Sequence, residues 1–297
     1  MIRPISILLL CIVAGTANAS TQAAESALKQ FEGKVLVLRH PLQDSFQQYD
    51  AAGKVLKGGD EGPWTVYGGV LIDKVDLSHA RVRFEGHRVL FLFLKGQFTA
   101  MDFKLLKRPV GPPFPPEVQL EVALDRGLDS AEEARALLGG VFALDTKGLL
   151  ESLPDLWSGL LDDRLVYDPA QTREAEFRME PPPSSVPKRP RKAAPDAIGA
   201  DELFHVGNGV TAPKATFSPE PKFTEIARYE KFQGVVVVNL IVGKDGTVHN
   251  VRLLRALGLG LDESAQSMIQ TWHFQPATRD GQPVAVEMNV EVSFNLY

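Results

Sequence analysis

The run VAVEMNVEVSFNL, residues 284–296, limits what this 297-residue chain can fold into more than any other stretch. Val284, Val286, Met288, Val290, Val292, Phe294 and Leu296 alternate with Ala285, Glu287, Asn289, Glu291, Ser293 and Asn295. Side chains along a strand point to opposite faces in turn, so the pattern predicts a strand with one buried and one wet face. Burying seven large apolar side chains supplies on the order of 10–20 kcal/mol before conformational entropy is charged. A slip of one residue would expose all of them, which fixes the register.

Such a strand needs neighbours, and the preceding sequence provides them. QGVVVVNLIVG puts Val236, Val238, Leu240 and Val242 on one face, with Asn239 marking the wetter side. Asp245-Gly246 then reverses the chain, because glycine supplies the positive φ a tight hairpin needs. TVHNVRLLRAL returns antiparallel with a less regular pattern that signals a bulge. In LDESAQSMIQTW, Leu261, Ala265, Met268, Ile269 and Trp272 form one helical stripe, with Asp262 and Glu263 at its positive end. KFTEIARYEKFQG predicts a first helix that turns Phe223, Ile226, Ala227 and Phe232 inward. Residues 211–297 are therefore expected to fold as α-β-β-α-β, a three-stranded antiparallel sheet with two helices over one face.

The front of the chain reads differently, and the fold class expected for the whole is α+β. Residues 30–125 are a series of strands, KVLVLRH, TVYGGVLIDKVDL, ARVRFEGHRVLFLFL, FTAMDFKLL and EVQLEVALD, separated by turn residues. They predict a mainly antiparallel sheet curled into a barrel or sandwich. Residues 126–178 read as a helical extension of that domain. Ser130 and Glu133 form a capping box ahead of Ala134, Leu137, Leu138 and Val141, and a second helix over TKGLLESLPDLWSGLL is interrupted at Pro154. Residues 179–210, opening MEPPPSSVPKRPRKAAPDA, are proline-rich and locally basic, and read as a solvated linker. At the amino terminus, Arg3, the apolar run Ile5 to Ala14 and Ala17-Asn18-Ala19 read as a signal peptide cleaved after Ala19. About ten apolar residues rise only ~15 Å as a helix, so an uncleaved inner-membrane anchor is the weaker reading. The expected location is periplasmic or envelope-associated.

Composition and spacing disfavour several chemistries. A formal charge of −5 gives no general attraction to nucleic acid. The single Cys11 falls inside the signal segment, which leaves no disulfide or thiol nucleophile beyond it. His40, His79, His87, His205, His249 and His273 are scattered without metal-ligand spacing. Ser264 lies inside the amphipathic helix without a nucleophile elbow, and the Gly-Asn-Gly at 207–209 lacks the strand and helix of a phosphate site. No catalytic residue, metal site or cofactor is assigned, and the chain reads as a binding protein and not an enzyme.

The carboxy-terminal residues resemble the C-terminal domain of TonB energy transducers over roughly 217–297. The resemblance rests on Phe223, Ala227 and Arg228 ahead of Gly234, the Asp245-Gly246 hairpin, and Leu261-Asp262-Glu263 opening the helix. It rests also on the run Trp272, Phe274, Pro276 and Ala277, and on Asp280, Gly281, Pro283 and Val284 before the last strand. It implies recognition of an extended segment of an outer-membrane TonB-dependent transporter, or of another envelope protein, by strand addition. Strand 284–296 is the expected receiving edge, with Glu287, Asn289, Glu291, Ser293 and Asn295 flanking the added strand and Arg228 as the family's helix arginine. The family's membrane helix and its histidine for the ExbB/ExbD motor have no match before His40, so contact with that motor and energy transduction are not expected. The rival is a structural envelope protein that homodimerises through the same exposed edge.

Overall fold

The computed structural model describes residues 10–94, 97–102, 116–161, 165–169, 178–179 and 203–296. The proline-rich stretch and its spacer reading lie almost wholly outside these. The fold is mixed α+β, mostly strand with few helices. It divides into two compact units.

The first unit draws its described residues from Met1–Leu90, Ala100–Ser152 and Tyr167–Glu176. Its elements are α1 (Leu10–Lys29), β1 (Val35–Leu38), β2 (Phe46–Tyr49), β3 (Val55–Lys57), α2 (Trp64–Tyr67) and β4 (Gly69–Leu77). There follow β5 (Arg81–Leu94) and β6 (Gln97–Asp102), which are shared with the second unit over Phe91–Thr99, then β7 (Glu117–Ala123), α3 (Ala131–Val141), β8 (Phe142–Ala143) and α4 (Thr146–Ser152). The strands form one sheet in the order β3-β2-β7-β5-β4-β1-β8, with β6 pairing β5. Along this order the pairs are antiparallel except β2 with β7, which is parallel, with Phe46 facing Gln119 and Tyr49 facing Val122.

The sheet is open and does not close into the expected barrel or sandwich, and the reason is its cover. Helix α1 runs through the expected cleavage point, and its Ala24, Ala27 and Leu28 are buried with Ala134, Leu137, Leu138 and Val141 of α3. These two helices bury Leu36, Ile72, Phe84 and Leu120 of the sheet, a role a second sheet would otherwise take. Ser130 caps α3 as expected, its Oγ accepting from the Glu133 N–H at 3.1 Å, while the Glu133 carboxylate accepts from the Asp129 N–H at 2.9 Å. Among the described residues no helix is long and apolar enough to cross a membrane.

Arg88, fully buried on β5, was not legible as a core residue. Its guanidinium donates to the carbonyls of Tyr67, Leu42, Gln43 and Asp44 and lies 4.8 Å from the centre of the Tyr67 ring. Burial pulls its pKa down to about 10, while Tyr67, Tyr49 and Asp44 oppose that pull. The side chain thus pins the 42–44 loop together with Gln47, whose Nε2 also donates to the Leu42 and Asp44 carbonyls at 3.0 and 3.1 Å.

The second unit is assembled from Phe91–Thr99, Leu153–Val166 and Phe177–Tyr297. The segment Leu153–Val166 therefore leaves the helical extension expected over 126–178. Pro154 breaks the helix there as expected, and a 3-10 turn (Asp155–Gly159) follows with Leu156 and Trp157 fully buried. Short strands β9 (Leu165–Val166) and β10 (Arg178–Met179) pair with each other. The remaining elements are β11 (Leu203–His205), β12 (Lys214–Phe217), α5 (Glu225–Tyr229), β13 (Gly234–Val242), β14 (Val248–Arg255) and α6 (Leu261–Ile269). They end with β15 (His273–Gln275), β16 (Ala277–Arg279) and β17 (Gln282–Phe294).

The main sheet of this unit has the order β11-β17-β13-β14, with β16 pairing β17, so the expected three strands, β17-β13-β14, are extended on the β17 side by β11 and β16 into a five-stranded sheet. β11 falls inside the segment read as linker, which puts an ordered strand where solvated chain was expected. Bulges in the β13–β14 pairing, and a left-handed Asn250 at φ 55°, account for the irregular pattern of the returning strand. Ile226 and Ala227 of α5 and Leu261, Ala265 and Ile269 of α6 are buried together with Val236, Val238 and Leu240.

Leu28→Ala should destabilise the first unit by about 2–5 kcal/mol, because the lost methyl groups leave a cavity between helix and sheet. Urea unfolding of the full chain, followed by far-UV circular dichroism, checks this, and a change below about 1 kcal/mol would mean that α1 is not part of the core.

Candidate functional site

β17 has two borders, and they differ. One is paired with β13 in continuous antiparallel register, from Gly234 facing Phe294 to Val242 facing Val286. On the other border β11 runs parallel, with Leu203, Phe204 and His205 facing Ala285, Val286 and Glu287. Among the described residues no strand lies beside Met288–Phe294 on that border. The expected receiving edge, 284–296, is thus narrowed by the chain's own β11 to its second half. Glu287 sits opposite His205, whereas Asn289, Glu291 and Ser293 lie along the open stretch and Asn295 just past its end.

The alternation of β17 is as expected in direction and incomplete in depth. Val286, Val292 and Phe294 are buried, Met288 and Val290 are half-buried, and Asn289, Glu291, Ser293 and Asn295 are exposed. Asn239 on β13 donates to the Asn289 side-chain oxygen at 3.0 Å across the outer face. Arg228 is exposed on α5 and, among the described residues, no hydrogen bond or ion pair of its side chain joins it to the β17 set. The structure does not bring it together with the other candidates.

The motif residues act locally. Asp245 accepts from the Thr247 N–H at 3.0 Å, which together with Thr247 hydroxyl contacts holds its carboxyl below the usual carboxylate range. Gly246 has φ 81°, and a Cβ there would strike the Phe274 carbonyl oxygen, so that turn needs glycine twice over. Trp272 donates its indole N–H to the Pro219 carbonyl at 3.0 Å, and Phe274 is buried on β15, which pairs with β12. Phe223 packs edge-on against Phe294 with ring centres 5.4 Å apart. Asp280 and Gly281, at φ 51° and 78°, make the two-residue turn between β16 and β17. Pro276 links β15 to β16.

The segment before β12 is tied to this hairpin. Val210 bridges Arg279, the Thr211 N–H donates to the Thr278 carbonyl at 2.9 Å, and the Arg279 guanidinium lies 5.2 Å from the Phe204 ring centre. A Leu-Phe pair inside a polar linker was the signal available for β11, and it is too short to stand out by periodicity.

The far edge of the sheet is β14. The Asp155–Gly159 turn packs on it. Just beyond it Leu92 bridges Gly258, and the Phe93 N–H donates to the Leu257 carbonyl at 3.0 Å. The chain there takes three left-handed residues in a row, Gly258, Leu259 and Gly260, at φ 92°, 55° and 76°. A Cβ on residue 258 would meet the Phe91 carbonyl oxygen, so the close approach of that segment requires glycine. Asp262 holds the loop, accepting from the Leu257 N–H at 2.8 Å and the Gly258 N–H at 2.6 Å while fully buried. Among the described residues, Met288–Phe294 is the stretch of β17 that no strand of the sheet flanks on its second border.

Elsewhere, the chemistry-bearing residues serve structure. His87 is held between Asp73 at 2.9 Å from Nδ1 and Asp102 at 3.0 Å from Nε2, a bridge within the first unit. No group of three metal-ligating side chains occurs among the described residues. An open cleft of the first unit is lined by Ala51, Leu124, Arg126 and Leu137, and its Arg126 is already paired with Asp129 and Glu133.

Residues 219–296 match the family of the Gram-negative bacterial TonB protein C-terminal domain. A protein TonB of Vibrio cholerae serotype O1 is 32% identical over 78 residues, which are 26% of this chain and 32% of that protein. The chain thus spans about a third of the length of that relative. The solution structure of the Pseudomonas aeruginosa TonB C-terminal domain aligns with 31% of this chain and 92% of its own, at 14% identity and a TM-score of 0.23. The carboxy-terminal part of the chain is a TonB-type C-terminal domain, and the resemblance of its motifs holds.

Asp262 gives this domain a pH dependence with a definite sign. Burial pushes its pKa up from 3.8 to about 7, against the pull of the two backbone N–H donors. The folded protein then binds this proton more tightly than the unfolded chain does. The contribution to stability is fully present below about pH 4 and is lost as pH rises through about 7, with an upper bound of about 4 kcal/mol. Thermal melts across that range should show a steeper decline for the wild type than for Asp262→Asn, which has nothing to titrate. Parallel curves for the two would show that this carboxyl does not titrate in the window.

Proposed function

We propose that this chain is a periplasmic or envelope-associated binding protein that captures an extended segment of a partner by strand addition at Met288–Phe294. The observation that carries the reading is the open half of the β17 border in a domain of the TonB C-terminal family. Backbone groups along an unpaired strand edge are donors and acceptors in search of partners, and an extended segment satisfies them without remodelling the sheet. The partner is an outer-membrane TonB-dependent transporter or another envelope protein. Asn289, Glu291, Ser293 and Asn295 flank the added strand, Glu287 marks its limit beside β11, and Arg228 acts at a distance or not at all. Export by the amino-terminal signal, with cleavage after Ala19, would deliver the protein to that compartment.

The test is a titration of the isotope-labelled full chain with peptides from the amino-terminal extensions of outer-membrane transporters. Amide shifts and slowed hydrogen exchange should concentrate on Met288–Phe294, with little change on β14. Perturbation confined to β14 or to the first unit, or none at all, counts against the proposal. A light-scattering mass of two chains that is lost on peptide addition would instead place a second copy on this border.

A further inference from the structure

The open border is not featureless, and its two faces call for different chemistry. On the helix side, Val286 and Val292 are buried while Met288 and Val290 between them are half-buried, so the apolar layer is incomplete there. The gap lies between β11, which ends opposite Glu287, and the Phe223–Phe294 contact. A neighbouring strand would bring its own side chains directly over these two residues, at the ~4.5–5.5 Å spacing of cross-strand pairs.

On the outer face the same stretch is acidic. Glu291 faces Val237 on β13, and Val237 faces Arg255 on β14. Two strand spacings put Arg255 roughly 9–10 Å across the sheet from Glu291. Arg255 is engaged inward, its Nε donating to the Val235 carbonyl at 3.0 Å. Among the described residues Glu291 has no ion-pair partner. Asn289 is already held by Asn239, which leaves the Glu291 carboxylate as the main unmet charge on the open stretch.

Building on the strand-addition reading, we propose that the Met288–Phe294 border selects an extended partner segment of alternating pattern, apolar residues over Met288 and Val290 and a lysine or arginine beside Glu291. The apolar residues complete the helix-side layer and the base pairs with the carboxylate from the outer side. Acidic segments are rejected by the same carboxylate, which is specificity by repulsion as well as attraction. β11 limits the length, because a segment running past Met288 toward Ala285 meets Leu203–His205.

The test uses the full chain and three capped heptapeptides, Val-Thr-Val-Lys-Val-Thr-Val, its counterpart with Glu in place of Lys, and a version of the first with threonine at every valine. Affinities are read from amide shifts on residues 288–294. The lysine peptide should bind about fivefold tighter than the glutamate peptide, the scale of a cross-strand charge pair against a like-charge one. Glu291→Lys should reverse that order, and salt should shrink it. Glu291 is exposed, so an unchanged melting temperature confirms that the variant folds. The all-threonine peptide should bind more weakly than its valine parent. Border shifts that are independent of peptide charge, or an order that Glu291→Lys leaves in place, overturn the basic-residue assignment while strand addition stands. Equal binding of the threonine and valine versions overturns the apolar assignment. Absence of border shifts with every peptide overturns this inference, and strand addition falls with it only if the transporter peptides leave the border unmoved as well.

Discussion

The register between β13 and β17 is the constraint on which the rest of the second unit depends. Nine consecutive pairs, from Gly234 with Phe294 to Val242 with Val286, run without a bulge. That continuity keeps Val292 and Phe294 under the helices and Asn289 and Glu291 outside along the whole length of the strand. A bulge anywhere in this pairing would move half the set to the wrong face. The irregularities are placed instead in the β13–β14 pairing, on the side of the sheet where the Asp155–Gly159 turn packs.

An open edge is a liability for any β protein, and the chain manages it at both ends of the border. β11 blocks the first part in parallel pairing, and exposed Glu291 and Asn289 make the rest unattractive to indiscriminate apolar strands. On the opposite side of the sheet the Asp155–Gly159 turn packs on β14, and the backbone of Phe91–Phe93 meets the loop that follows it, with Gly258 providing the close approach and Asp262 rigidifying the loop.

Much of this was legible in the sequence where the information is local. The period-2 pattern of 284–296, the Ser130–Glu133 capping box and the Asp245-Gly246 turn each state their geometry within a few residues, and each folds as read. What escaped depends on contacts distant in sequence. Leu28, beyond the expected cleavage point at Ala19, carries no pattern of its own until α3 is placed against it. Arg88 looks like a surface charge until four carbonyls converge on it. Asp262 reads as a dipole-favoured first-turn acid, yet it is buried and serves the loop before the helix. Leu203-Phe204 carries too little periodicity to announce a strand, and only its partner β17 makes it one. The candidate site was legible as a strand and a face, but the boundary between its blocked and open halves was not.

Energetics explain why side chains must decide what binds at such a border. Each backbone hydrogen bond gained on adding a strand nets only about 0.5–1.5 kcal/mol, because water is displaced to make it. Ordering each residue of a previously flexible segment costs about 1–2 kcal/mol, so the backbone terms of a seven-residue addition come close to cancelling. Affinity then rests on what the alternate side chains find. Here that is the incomplete apolar layer at Met288 and Val290 on one side and the Glu291 carboxylate on the other. A fully apolar edge, by contrast, has nothing to deter pairing with copies of itself.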